Sequence, residues 1–168
     1  MNRKLVLSWM LLALAGLSAR SGATSCGCSG SFLENAPKAD LVVRGTAEEL
    51  VSQWGNGVPR YAKIRIQEVF KGEPPADFVV IEGDDGNSLR PYASTFQPST
   101  DWLLALRLSH TLEKDGKKAW IYHVSVCGSY ALKIEKETVQ SSGGCPEPDY
   151  GKPLADFSRR LTEAIQTP

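Results

Sequence analysis

Apolar residues fill positions 5–19 almost without a break, and beyond position 26 the pattern changes to short alternating runs. Tyr61 to Phe70 sets Ala62, Ile64 and Ile66 on one side and Lys63, Arg65 and Gln67 on the other, which is the period of a half-buried strand. The phase slips at Glu68-Val69-Phe70, which predicts a bulge. Leu41 to Ala47 is β-rich and extends towards Val51, and Phe78 to Ile81 is a short apolar strand. Trp102 to Leu108 reads as a strand by its length and neighbours. Ala119 to Cys127 opposes Ile121, His123 and Ser125 to Tyr122, Val124 and Val126, and Gly128 to Ile134 adds an edge strand.

Helical signals stand at both ends of this β-rich stretch. Ser31-Phe32-Leu33-Glu34 has the form of a capping box and predicts a short helix from about Phe32 to Ala39. Pro153 opens a helix over about 153–166, with Leu154, Phe157, Leu161 and Ile165 as its apolar stripe. Turns are signalled by Asn56-Gly57 with Pro59, by Lys71 to Pro75, and by Asp115-Gly116, a hairpin turn. Asp84 to Thr100 is a long loop, and Ser141 to Gly151 is irregular. The order of helix, about five strands and helix predicts a mainly β fold. Its natural form is a small OB-fold-like closed barrel of five antiparallel strands flanked by the N- and C-terminal helices.

The apolar stretch at the start follows Arg3 and Lys4 and ends in small residues, so residues 1–25 read as a signal peptide rather than a spanning helix. Cleavage after Ala19, Ala23 or Ser25 fits the small-residue rule, and the last of these makes Cys26 the N-terminus. Residues 26–168 then form a single exported domain, periplasmic or secreted. Acylation of Cys26 is disfavoured by Ala23 at the aliphatic lipobox position and by Arg20 nearby. In an oxidising compartment Cys26, Cys28, Cys127 and Cys145 read as two disulfides, for which three connectivities are open. A four-thiolate zinc site is the rival reading, and the Cys-x-Cys spacing and the compartment speak against it.

Composition removes several functions. The chain carries 19 basic and 19 acidic residues, and loss of Arg3, Lys4 and Arg20 with the signal takes the net charge to −3. With no Lys/Arg run longer than two, no nucleic-acid partner is expected. No second apolar run reaches the length of a membrane span. No phosphate loop, dinucleotide fingerprint or nucleophile elbow is present, so neither an enzyme nor a cofactor is expected. His110 and His123 lack the spacing of metal or triad partners. Asp84-Asp85-Gly86-Asn87 resembles a calcium loop but lacks its ligand spacing and terminal Glu. Trp54, Trp102 and Trp120 are candidates for a binding platform, although Trp102 and Trp120 lie in apolar strands and read as core.

Five segments in order carry a family resemblance. They are Cys26-Gly27-Cys28 after the signal, Ala39 to Gly45, Ile64 to Gly72, Trp102 to Ala105, and Ile121 to Ser129 with Val126-Cys127-Gly128-Ser129 at its end. Over about Cys26 to Leu132 the chain resembles the inhibitory domain of the tissue inhibitors of metalloproteinases (TIMPs), in the netrin-like group, and most closely its bacterial exported members. The resemblance implies the same five-stranded barrel. It also implies a mechanism in which the α-amine and carbonyl oxygen of Cys26 chelate a partner protease's zinc in trans and the second residue, Gly27, faces the specificity pocket. For the disulfides it implies Cys28–Cys127 and, with it, Cys26–Cys145. The chain departs from the family pattern in having no side chain at Gly27 and no cysteine in the Asp84 to Thr100 loop. Two functions are therefore expected: inhibition of an extracytoplasmic zinc metalloprotease through Cys26, Gly27 and Cys28, or a non-inhibitory netrin-like module that binds another envelope protein or ligand.

Overall fold

A computed structural model describes residues 27–52, 58–86, 89–114, 116–141 and 145–167. Residues 1–25, expected to be a signal peptide, and Cys26 lie outside the described residues. Helix α1 covers Phe32–Asn35 and runs into a 3-10 turn over Ala36–Lys38. The strands are β1 (Leu41–Ser52), β2 (Pro59–Lys71), β3 (Phe78–Glu82), β4 (Asp101–Lys114), β5 (Lys117–His123), β6 (Ala131–Glu135) and β7 (Thr138–Ser141). Helix α2 covers Leu154–Gln166. No described helix is long and apolar enough to cross a membrane.

The strands form one mainly antiparallel sheet in the order β1-β2-β3-β5-β4-β6-β7, and β1 also pairs with β4. That extra pairing makes β1, β2, β3, β5 and β4 a closed ring. Its narrowest seam is the parallel pair of β3 and β5, joined only at Val80↔Ile121 and Ile81↔Tyr122. The ring explains two separate cores. Alternate residues of β1 and β4 point to opposite faces. Leu41, Val43, Leu104 and Leu106 join Ala62, Ile64, Val79, Ile81 and Tyr122 in one cluster drawn from all five ring strands. Val42, Leu103 and Ala105, of opposite phase, pack under α1 and α2 in the other. Phe32 and Phe157 meet there edge to face at 5.9 Å. The stripe of α2 docks as expected: Leu154, Phe157 and Leu161 are buried and Ile165 packs beside them.

Local chemistry accounts for most boundaries. Ser31 N donates to Glu34 Oε2 at 2.7 Å, completing the capping box at α1. The slip in β2 appears as register shifts against β1, which skip Phe70 and Gln67. The β4–β5 hairpin turns at Gly116, whose φ of 72° suits glycine. Two expectations need correction. The described residues hold seven strands, because the chain after β6 turns back at Lys136-Glu137 to form β7. Both residues have positive φ, 49° and 55°, in a turn that more often shows Asn-Gly. The fifth strand ends at His123, not Cys127, because from Val126 the chain bonds the long loop instead, with Val126 N donating to Leu89 O.

Gly45 makes the closure sterically workable. It faces both Ile66 of β2 and Trp102 of β4, and a Cβ there would lie 2.5 Å from Arg65 O and 2.7 Å from Ile64 Cγ2. Gly45→Ala must push β2 away and is expected to cost about 1–3 kcal/mol, read as a lower urea midpoint. An unchanged midpoint would show that the β1–β2 spacing is free to adjust.

Candidate functional site

The segment Gly27 to Gly30, which leads into α1, is held on several sides while staying open to solvent. Gly27, Cys28, Ser29 and Gly30 are all exposed. Cys28 is joined to Cys145, 117 positions further along the chain, with the two Cα atoms 5.3 Å apart. This overturns the pairing Cys28–Cys127, and with Cys145 taken it overturns Cys26–Cys145 as well. The cause is topological: the β6–β7 hairpin returns the chain, so Cys145 reaches Cys28. Cys127 is also disulfide-bonded, and no described cysteine is free. Cysteines joined in this way cannot supply a four-thiolate zinc site.

Non-covalent contacts complete the staple. Asn35, nearly buried, donates through Nδ2 to Ser29 O at 2.9 Å and to Gly30 O and Ser129 O at 3.3 Å. Ser129 N donates to Gly30 O at 3.3 Å, and the Ser29 hydroxyl donates to Cys127 O. Phe32 N donates to Glu147 Oε2 at 2.9 Å, two residues beyond Cys145. Gly128 lets the two segments touch. A Cβ there would stand 2.7 Å from Ser29 O, and its φ of 146° is one that side chains rarely adopt. At Gly27, by contrast, nothing lies within 4 Å of a Cβ, so this position accepts a side chain.

The other candidates fall elsewhere. Trp102 is buried, edge to face with Phe96 at 5.0 Å, and its Nε1 donates to Thr100 Oγ1 at 2.6 Å. Trp120 packs against the ring core under the Lys118 ammonium, 5.0 Å from the ring centre. Trp54 lies outside the described residues, Trp102 is core as expected, and Trp120 is half-buried and lines a surface groove with Phe78 and Val80. Asp85 pairs with Arg60 at 3.4 Å, Asp84 accepts from Gly86 N at 3.1 Å, and Asn87 lies outside the described residues. Among the described residues no three His, Cys, Asp or Glu side chains cluster as metal ligands. His110 contacts Ser109 Oγ at 3.1 Å. His123 is half-buried with Nδ1 unpartnered among the described residues. Burial, then Arg90 and Arg107, lowers its pKa below 6.5.

Glu82 is a site that no sequence motif announces. It is a buried carboxylate at the end of β3, paired with Arg60 at 2.8 Å and with Arg90 of the long loop. Burial raises its pKa, yet Arg60 and Arg90 outweigh burial and hold it below the ordinary 4.5. The only signal in sequence was a Glu at the end of an apolar strand, with nothing to bring two distant arginines to it.

No protein-family model and no curated protein sequence matches the chain.

Non-reducing peptide mapping is expected to return a Cys28–Cys145 peptide, and a Cys28–Cys127 peptide would contradict the arrangement. A bridge across so long a loop stabilises by roughly 2–4 kcal/mol.

Proposed function

We propose that this chain is an exported TIMP-like module whose stapled N-terminal segment inhibits a zinc metalloprotease. On this reading the ring of five strands is an OB-fold-like barrel, the signal is cut before Cys26, and Cys26 is the partner of Cys127. The α-amine and carbonyl oxygen of Cys26 then occupy the open position of the protease's zinc, where water would otherwise sit.

One arrangement carries the reading: Gly27 to Gly30 stand exposed while a disulfide, the Asn35 amide and Glu147 hold the residues around them. A segment ordered before it meets a partner loses little entropy on binding. A second reading, a non-inhibitory module that docks another envelope protein, is favoured by the exposed apolar side chains of Leu89 and Val126, whose main chains are bonded next to Cys127, the residue that Ser29 contacts.

The amine must be neutral to donate its lone pair. Its pKa is about 7.7–8.0, so inhibition should strengthen as pH rises towards that range. Residual activity of a panel of zinc metalloproteases is measured with the mature protein, with a form extended by one Ala before Cys26, and with Gly27→Thr. The extension should abolish inhibition by displacing the amine. The open space at Gly27 allows the Thr side chain without cost to the fold, and its contacts in the protease pocket should strengthen binding by about 1–2 kcal/mol. If neither the mature protein nor Gly27→Thr inhibits at micromolar concentration, or if the extension has no effect, chelation is wrong and the docking module takes its place.

A further inference from the structure

The ring stays open where β3 and β5 stop pairing. Continuing their parallel register back from Val80↔Ile121 sets Phe78 opposite Ala119, but no pairing forms there among the described residues. β5 runs on to Lys117 with β4 along one edge alone, so every second residue before Ile121 turns its N–H and C=O into the gap. The register of β5 against β4 slips between Leu108 and His110, and a bulge of this kind adds twist, which turns the β5 arm away from β3. A groove of about 90 Å³ occupies the gap, lined by Pro75, Phe78, Val80, Lys118, Ala119 and Trp120. Phe78 and Val80 have outward phase, alternating with the interior Val79 and Ile81, whereas Trp120 packs against the ring core. The groove is therefore a slot between strands, with residues of both faces in its walls. Two ammonium groups attend the aromatic walls. Lys63 Nζ lies 4.7 Å from the Phe78 ring centre and Lys118 Nζ lies 5.0 Å from that of Trp120. Lys63 is engaged by Glu48 at 3.3 Å. Glu113 stands opposite Lys118 in the β4–β5 register, yet Lys118 forms no ion pair among the described residues.

We propose that this slot binds a small aromatic carboxylate, with its ring between Phe78 and Trp120 and its carboxylate on the Lys118 ammonium. Size decides the body of the ligand. A closed apolar cavity of about 150 Å³ takes one benzene ring. A groove of about 90 Å³ that opens to water takes a single ring and excludes a strand or a helix. Aromatic walls favour an aromatic ring over a saturated one, because ring pairs gain free energy beyond the area they bury. Charge decides the head. An ammonium with no carboxylate of its own, beside main-chain N–H groups that meet no strand, is matched by an anion. The slot shares no residue with Gly27–Gly30, so it stands or falls apart from the inhibitory reading.

The probe is 3-phenylpropionate, titrated into the oxidised protein and followed in ¹H–¹⁵N spectra. Saturable shifts are expected at the Trp120 indole N–H and at the Val80 and Ala119 amides, with a Kd of about 1 mM or tighter, and none at Leu132 of the other core. The neutral 3-phenylpropionamide should bind about tenfold more weakly, because it loses the charged contact. The saturated 3-cyclohexylpropionate should lose about threefold. Lys118→Met should weaken the acid about tenfold and leave the amide unchanged, whereas Lys133→Met, on β6, should change neither. Trp120→Leu should remove binding. Lys118 is exposed, so its variant keeps the test decisive where Trp120→Leu fails to fold. No saturable shift at Trp120 by about 10 mM overturns the site. So does equal affinity for acid and amide, or undiminished binding of the acid to Lys118→Met. An acetylated peptide ending in Phe that binds about tenfold tighter than the free acid overturns the small-molecule assignment and puts a protein C-terminus in its place.

Discussion

The structure depends on β1 being hydrogen-bonded along both edges. Leu41 to Thr46 pair with β4 on one side while the strand pairs with β2 on the other. Without the β4 contact the ring would be an open sheet, and its edges would invite pairing with other chains. Closure also separates the two cores, because a strand paired on both sides must send alternate side chains to opposite faces. One face fills the ring. The other receives both helices, which bring the N-terminal segment and the Cys145–Glu147 stretch to the same end of the sheet.

That placement gives the N-terminal segment its properties. The first residues of a domain are ordinarily poorly ordered. Here the main chain on both sides of Ser31 is engaged: Asn35 takes the carbonyls of Ser29 and Gly30, and Glu147 takes the amide of Phe32. The disulfide sets the distance and the buried amide sets the direction. Outward-facing main chain with a fixed course is suited to entering a cleft, and the gap at Gly27 leaves specificity to whatever stands at that position.

Much of this was legible in the sequence. Period-two alternation marked Ala62 and Ile64 as interior, the Ser31–Glu34 pair marked the start of α1, and the spacing from Leu154 to Leu161 marked the docked face of α2. Local rules act over a few residues, and these features are local. What escaped was decided at long range. Strand β7 was hidden because Lys136 and Glu137 adopt positive φ with no glycine or asparagine to announce it. The pairing of Cys28 with Cys145 followed from that hairpin. The Glu82 triad joins side chains from β2, β3 and the long loop, which no spacing rule connects.

The central claim is that an exposed N-terminal segment is rigid before it meets any partner. Backbone ¹⁵N relaxation of the oxidised protein at Gly27, Ser29 and Gly30 tests it most directly. The account predicts order parameters near those of the ring strands, about 0.85. Values below about 0.6 with the disulfides intact would contradict it, because a segment that mobile is not preorganised for binding.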